Sequence, residues 1–199
     1  MRSGMRRDPT IAGVILPAAE GTETVLARTA QLLGARGLVL AGLVQECEMD
    51  PDRACCPAMF VRDLKNGTRT RISEDRGMAA RGCRLDREAL IEAALRVQEA
   101  LDAHTGLLLI NRFGKAETEG RGMLGPLQQA IEVGIPVIVG VRANYLEPWE
   151  HFHGGLATNL PPVTETIVEW AIGAVSCKAM SLSADTESFA NGIQSSSDF

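Results

Sequence analysis

The sequence predicts an α/β fold with a doubly wound, mainly parallel sheet and an inserted β-hairpin. Short aliphatic runs alternate along the chain with segments whose apolar residues repeat at helical spacing, which is typical of parallel strands joined by crossover helices. Residues 46–84 break this alternation: they are polar and contain Asn66-Gly67, a dipeptide that favours a tight hairpin turn. We therefore expect a hairpin between α/β units.

The first three elements follow from local signals. Ile11–Leu16 is aliphatic and predicts a buried strand. Thr22 is placed to cap a helix over Glu23–Ala35, which Gly37 ends. The apolar run Leu38–Val44 predicts the second strand of the sheet.

The rest of the chain continues the pattern. The hairpin is expected at about residues 58–73, and Asp86 is placed to cap a helix that reaches Ala103. Leu107–Ile110 predicts the next buried strand, which ends in a polar loop. The remaining elements are a helix over about 123–133, a strand at Pro136–Val141, a short helix within 145–153 and a last helix over Pro162–Val175.

The length and composition predict one α/β domain over residues 10–178. Residues 1–9 form a basic leader that we expect to be flexible. Residues 179–199 are rich in Ser, Ala, Asp and Thr and poor in apolar residues, so we expect a disordered tail.

The charge and the composition narrow the classes of function. A net charge of −5 argues against a general nucleic-acid binder or a protein that binds anionic membranes. Aromatic residues make up only 4% of the chain, so a stacking platform for single-stranded nucleic acid is not expected. The sequence shows neither a secretory signal nor a membrane span, and its five cysteines are an odd number, so we expect free thiols in a cytoplasmic protein.

The polar loop after Leu107–Ile110 is the strongest candidate site. Ligands of open α/β sheets bind beyond the carboxyl ends of the strands, where this loop is expected to lie. Its cations and amides suit an anion, and Gln45 and Arg142 are expected at the same edge of the sheet. The alternative interpretation is a solvated loop whose glutamates pair with its own cations. The candidate ligand-binding residues are Gly21, Thr22, Gln45, Asn111, Arg112, Lys115, Glu117 and Arg121.

The order of these elements resembles a bacterial family of unknown function over about residues 10–155. The segments that carry the resemblance are GLVQ, the hairpin, GCRLD and NRFGKAETEGRG. That family is itself similar to the P-loop nucleoside triphosphatases first described from thermophiles. The resemblance implies a P-loop-like sheet topology. Members of the family often lie near genes for molybdenum uptake or use, which implies a link to oxyanion or metal-cofactor biology.

The phosphate-binding motif of the P-loop proteins is degenerate in this chain. A P-loop requires G-x-x-x-x-G-K-[ST] after the first strand. In the matching register only Gly21 remains, while Thr22 replaces the lysine and Glu23 replaces the hydroxyl residue. Glu20 and Glu23 would repel a triphosphate by about 1–4 kcal/mol for each close pair of charges.

The magnesium-binding motif departs as well. The P-loop relatives carry Asp-Glu at the end of the third strand of this unit, where this chain has Asn111 and Arg112. An amide and a guanidinium cannot replace two carboxylates around Mg²⁺. The sequence therefore predicts that magnesium-dependent hydrolysis of nucleoside triphosphates is absent.

The leading hypothesis is a P-loop-like protein that binds a small anion in an accessory or regulatory role. The ligand would be a nucleotide, a phosphorylated metabolite or a metal oxyanion such as molybdate. One alternative is an enzyme that uses Cys83 as a reactive thiol, or Glu117, in other chemistry. Another is a metal-handling or scaffold protein that uses the Cys-rich insertion, although the spacing of Cys47, Cys55 and Cys56 matches no common zinc site. The sequence identifies no metal site, cofactor or protein partner.

Overall fold

The computed structural model of the protein describes residues 10–17, 23–48, 58–74 and 85–193, with the backbone alone at Glu23, Cys47, Glu48 and beyond residue 180. The strands within these ranges are β1 (Ile11–Leu16), β2 (Leu40–Glu48), β3 (Ala58–Asp63), β4 (Arg69–Arg71), β5 (Leu107–Phe113), β6 (Val137–Arg142) and β7 (Ala157–Leu160). The helices within them are α1 (Glu23–Ala35), α2 (Arg87–Ala100), α3 (Lys115–Thr118), α4 (Leu124–Glu132), α5 (Leu146–His153) and α6 (Thr164–Ile193).

The strands form one sheet in the order β4-β3-β2-β5-β6-β1-β7. Five neighbouring strands, β2, β5, β6, β1 and β7, are parallel to one another. The strand β3 is antiparallel to both of its neighbours, β2 and β4. This mainly parallel sheet confirms the predicted fold class. The hairpin extends the sheet itself, because β3 pairs with β2 along six residues from Leu43↔Asp63 to Glu48↔Ala58.

Helices cover both faces of the sheet and enclose two apolar clusters. On one face, Leu26 and Leu33 of α1 and Ile167 of α6 pack against the strands. On the other face, Leu127 of α4 and Trp149 of α5 pack together with residues of α2. The chain therefore leaves the adjacent strands β1 and β6 toward opposite faces. Such a reversal opens a crevice at the carboxyl ends of the two strands.

Local signals in the sequence predicted several elements correctly. The bounds of β1 and α1 agree with the prediction. Asp86 caps α2, since its Oδ1 accepts a hydrogen bond of 3.0 Å from the Ala89 N–H. Asn66 and Gly67 lie in the turn between β3 and β4, where the φ of Gly67 is 75°. That left-handed conformation favours glycine.

Elements that depend on distant partners differ from the prediction. The second strand was predicted to end at Val44, but its pairing with β3 extends it to Glu48. The strand β7 was not predicted, because it is only four residues long, two of them are polar, and the edge of β1 completes their hydrogen bonding.

The last helix is longer than predicted. Pro162–Val175 was the expected span, with a disordered tail from residue 179, whereas α6 runs from Thr164 to Ile193. Adding residues to a helix that tertiary packing has already nucleated costs little, and no proline interrupts this segment. None of the helices in the described part of the chain has the length and apolar character needed to cross a membrane.

Candidate functional site

The carboxyl end of β5 contains a β-bulge. The register between β5 and β6 slips by one residue, so that Asn111 and Arg112 together face Gly140. The sequence predicted that this strand ends at Ile110, which is wrong, because both polar residues lie within the strand. Bulges are common beside active sites, where they redirect side chains.

Gly140 makes the bulge possible. A Cβ atom at this position would lie 2.3 Å from the carbonyl oxygen of Asn111 and 2.7 Å from Cδ1 of Leu26. Leu26 lies in the first turn of α1, so the bulge packs beside the start of that helix. Leu107 and Leu109 belong to the cluster under α1, and Asn111 continues their alternation along the strand. Its side chain is therefore on the α1 face of the sheet.

The carboxamide of Asn111 is buried without a hydrogen-bond donor for its oxygen. The residue is 7% exposed, and among the described residues no group donates to its Oδ1. Leaving a buried amide oxygen unpaired costs about 1–3 kcal/mol. Buried polar atoms without a partner are rare in native proteins, and a bound water or ligand is one of the groups that satisfies them.

Positive charge collects around this bulge. Arg142 is the last residue of β6, and it pairs in register with Leu16, the last residue of β1. It therefore lies at the crevice where the chain leaves β1 and β6 toward opposite faces. The N-terminus of α1 adds a partial positive charge, and Arg112 adds a second guanidinium within the bulge. This arrangement suits an anion at the carboxyl edge of the sheet.

Glu117 closes the loop after β5 and is not open to a ligand. Its Oε2 accepts a 2.9 Å hydrogen bond from the Gly114 N–H, and its Oε1 accepts one of 2.9 Å from the Met123 N–H. Burial raises the pKa of Glu117, while these hydrogen bonds and the charge of Arg112 act in the opposite direction. Gly122 provides the space, since a Cβ there would lie 2.3 Å from Oε1.

Lys115 and Arg121 pair with Glu119 rather than with Glu117. The Lys115 Nζ lies 3.7 Å from the Glu119 Oε1, and Nη2 of Arg121 contacts the other carboxylate oxygen. Arg121 is the main cause of the lowered pKa of Glu119. The side chains of Lys115 and Arg121 are 74% and 58% exposed, so the alternative of a solvated loop with local pairing describes these two cations.

The other candidate residues lie elsewhere or outside the described ranges. Ala41 and Leu43 belong to the cluster under α2, so the alternation along β2 assigns Gln45 to that face, opposite Asn111. The predicted site residues Gly21, Thr22 and Cys83 lie outside the described residues, as do Cys55 and Cys56. Within the described ranges, no three His, Cys, Asp or Glu side chains are grouped so that they could hold a metal ion.

The sequence predicts a site at the carboxyl edge of the sheet, but it did not predict the bulge or the role of Gly140. One signal was available: a glycine inside the aliphatic run PVIVGV indicates the close approach of another backbone. The position of Arg142 beside the end of β1 had no local signal, because it depends on the order of the strands.

Two solved structures resemble this fold. The solution structure of a human cancer-related nucleoside triphosphatase has a TM-score of 0.56 and 18% identity, and covers 84% of this chain and 95% of its own. The crystal structure of THEP1 from the hyperthermophile Aquifex aeolicus has a TM-score of 0.51 and 15% identity, and covers 78% of this chain and 89% of its own. These likenesses show that the chain has a P-loop NTPase-like fold.

Sequence comparison gives a relative and a family. A molybdenum import ATP-binding protein, ModC 2 of Bradyrhizobium diazoefficiens, is 34% identical over 164 residues, or 82% of this chain. The matched region is only 18% of that relative. Residues 11–170 match the model of a family described as protein of unknown function, DUF2478. Since this match covers most of the fold described above, the chain belongs to the DUF2478 family.

Proposed function

We propose that the protein binds a small anion at the carboxyl edge of its sheet and does not hydrolyse magnesium-bound nucleoside triphosphates there. The candidate ligands are a nucleotide, a phosphorylated metabolite and a metal oxyanion. The observation that carries the proposal is the bulge in β5, where the backbone of Asn111 lies beside the first turn of α1 and its carboxamide is buried. This is the location at which open α/β sheets bind ligands.

The electrostatics of this edge support an anion. The N-terminus of α1 carries about half a positive charge, and anions bind readily at such termini. Arg112 lies within the bulge of β5, and Arg142 ends the neighbouring strand β6. A guanidinium can hold an oxyanion through two parallel hydrogen bonds. These positive groups therefore complement an anion, whereas Glu20 and Glu23 oppose a highly charged ligand such as a triphosphate.

The absence of hydrolysis is proposed from the residues at the end of β5. Asn111 and Arg112 stand where the resemblance places an Asp-Glu pair. Magnesium requires oxygen ligands, which in phosphoryl transfer come largely from carboxylates and phosphates. The Arg112 guanidinium repels a divalent cation, and the neutral Asn111 carboxamide brings no negative charge to offset that repulsion. In the P-loop register the chain also has Thr22 at the lysine position and Glu23 at the hydroxyl position, with Glu20 just before the remaining glycine.

The named relative supports an accessory or regulatory role in molybdenum chemistry. ModC 2 is described as a molybdenum import ATP-binding protein, and this chain corresponds to less than a fifth of it. We therefore include molybdate among the first ligands to test, beside phosphate and nucleotides.

Thermal unfolding of the full chain tests anion binding. A ligand at about 100 times its Kd adds about 2.7 kcal/mol to the unfolding free energy. For a chain of this size that raises Tm by roughly 5–11 °C. Phosphate, molybdate, ATP and ADP are compared without magnesium. A folded sample whose Tm no anion raises at millimolar concentration would contradict the proposal.

A variant pair locates the site. Arg142→Gln is expected to weaken binding about tenfold or more, because it removes a charge-assisted hydrogen bond. Glu119→Gln is the matched control, since this exposed glutamate pairs with Lys115 and Arg121 outside the bulge. Calorimetric titration measures both. Equal affinities for the two variants would place the ligand elsewhere.

Phosphate release from MgATP and MgGTP tests the second part of the proposal. We expect no release above the buffer rate with the purified protein. Turnover that requires magnesium and is lost in Asn111→Ala would contradict it.

The reactive thiol at Cys83 stays a prediction. Alkylation near neutral pH, followed by mass spectrometry, compares the reactivity of Cys83 with that of the exposed Cys177.

A further inference from the structure

We infer that the anion held at this edge carries its own hydroxyl donor, as hydrogenphosphate does, and that Asn111 accepts the hydrogen bond from it. The inference rests on the proposed function, because it concerns the same site. It names the class of ligand: an oxyanion or a phosphorylated compound that bears an O–H group. Fully deprotonated oxyanions such as molybdate lie outside this class.

The polar groups around the bulge differ in whether they donate or accept hydrogen bonds. Arginine side chains and the free N–H groups of a helix N-terminus are donors only. Asn111 differs, because its carboxamide also presents an acceptor. That acceptor, Oδ1, is buried, and no group of the described residues donates to it. Among the described side chains at this edge, Asn111 therefore places an acceptor beside the donors of the two arginines.

The position of this acceptor follows from the strand that carries Asn111. Asn111 extends the row formed by Leu107 and Leu109 on the α1 face of β5. Its carbonyl oxygen and Cδ1 of Leu26 both lie within 3 Å of the point where a Cβ of Gly140 would stand. The backbone of Asn111 is thus next to the first turn of α1, and its carboxamide is on the face of the sheet that this helix covers, where the helix N-terminus attracts an anion. An anion seated there lies beside both the donors and the acceptor.

A buried acceptor at this edge discriminates between anions of similar shape. Sulfate and molybdate are tetrahedral oxyanions that carry no proton near neutral pH, so they satisfy the donors and leave Oδ1 unpaired. Hydrogenphosphate has the same shape and keeps one O–H, which satisfies Oδ1 as well. Sites that bond a ligand hydroxyl reject analogues without it, because their own buried polar group stays unpaired. We expect phosphate to bind about tenfold more tightly than sulfate or molybdate.

The hydroxyl has two sources, and the probes distinguish them. In inorganic phosphate the O–H belongs to the phosphorus, whereas a nucleoside 5′-monophosphate supplies hydroxyls from its ribose. Calorimetric titration of the full chain compares inorganic phosphate, a nucleoside 5′-monophosphate, sulfate and molybdate at one pH. Tighter binding of either phosphate compound than of sulfate and molybdate supports the inference and identifies the source. Equal binding of all four anions overturns it, while the proposed anion site survives.

Substitutions at Asn111 test the assignment of the acceptor. Asn111→Asp keeps an acceptor at this position, so the ratio of phosphate to molybdate affinity should persist although the added charge weakens both. Asn111→Leu replaces the carboxamide by an apolar group with the same number of heavy atoms and the same branching, so the ratio should fall to about one. The leucine variant should also unfold at least about 2 °C higher without ligand, because it no longer buries an unpaired oxygen.

A variant outside the bulge serves as the control for these substitutions. Glu119→Gln should leave both the ratio and the Tm unchanged, since Glu119 lies on the exposed side of the loop. A ratio that stays high in Asn111→Leu would overturn the role of Asn111. If no anion binds the wild-type protein at all, the proposed function fails first, and the two failures are thereby distinguished.

Discussion

At the scale of single residues, two buried polar side chains near the end of β5 have opposite roles. Both oxygens of Glu117 accept backbone N–H groups and hold the loop from Gly114 to Met123. The Asn111 oxygen has no donor among the described residues, although it is equally buried. A satisfied buried group stabilises a loop, whereas an unsatisfied one costs free energy until a partner arrives. Glu117 therefore stabilises its own loop, whereas Asn111 is a candidate ligand contact.

Replacing Glu117 by Gln tests whether its carboxylate stabilises the loop. The amide NH₂ of glutamine would face one of the N–H groups that the carboxylate now accepts, so we expect a loss of about 1–3 kcal/mol in unfolding free energy. Urea denaturation measures this loss. Glu119→Gln, two residues away and more exposed, should change the urea midpoint little. An unaltered midpoint for Glu117→Gln would mean that the loop does not need this carboxylate.

The pKa of Glu117 gives this comparison a pH dependence. Burial raises the pKa of Glu117 in the folded protein above its ordinary value of 4.5. A raised folded pKa means that its contribution to stability is complete below pH 4.5 and is lost as the pH rises through the folded value. The stability of the wild type relative to Glu117→Gln should therefore fall between acidic and neutral pH. Urea titrations across this range check the sign, and a rising difference would be inconsistent with it.

Gly140→Ala tests the close packing at the bulge. The added methyl would overlap the Asn111 carbonyl oxygen and Leu26, so we expect a loss of about 1–3 kcal/mol. Gly173→Ala in α6 is the control, because nothing lies within 4 Å of its Cβ position and alanine favours a helix by about 0.5–1 kcal/mol. Thermal unfolding of both variants measures the contrast. Equal effects at the two positions would show that the bulge tolerates a side chain.

At the scale of elements, local and distant signals had different success. The bounds of β1 and α1 and the cap of α2 were predictable because an aliphatic run, a cap and a glycine stop act within a few residues. The bulge in β5 and the strand β7 were not, because each is defined by the strand beside it. The candidate site shares this limit: its loop was visible in the sequence, but the pairing of Asn111 with Gly140 was not.

The cap of α2 provides a prediction for an element. Asp86→Ala removes the acceptor for the Ala89 N–H and should cost about 1 kcal/mol of stability. Glu99→Gln near the exposed end of the same helix should have little effect. Hydrogen exchange of the first turn of α2, together with urea denaturation, measures the loss. Unchanged exchange at the Ala89 amide would show that the cap is dispensable.

At the scale of the whole molecule, one tryptophan joins the parts that create the crevice. Trp149 of α5 is fully buried, and a Cβ on Gly13 of β1 would lie 2.5 Å from its Nε1. The same Nε1 donates a 3.3 Å hydrogen bond to Asn159 of β7. Phe113, just beyond the bulge, packs edge-on against the indole at 5.3 Å between centroids. The core under α5 is therefore continuous with the strands that carry the site.

Trp149→Ala is expected to destabilise the protein by about 3–5 kcal/mol, since it removes a large side chain from a close-packed core. Trp170, which is only partly buried in α6, offers the comparison: Trp170→Ala should cost less. Urea denaturation followed by circular dichroism measures both without relying on tryptophan fluorescence. A smaller loss at position 149 than at position 170 would contradict this role for Trp149.

The sequence by itself determined the fold class, the hairpin turn and the edge of the sheet where a ligand is expected. It could do so because aliphatic periodicity, caps and turn residues act over a few neighbouring positions. Only the tertiary structure decided that Asn111 lies in a bulged strand against Gly140 and the start of α1, that Arg142 ends beside β1, and that both oxygens of Glu117 are used by its own loop. These features depend on strand order and register, which bring together residues that are far apart in the chain, and no local pattern encodes such a contact.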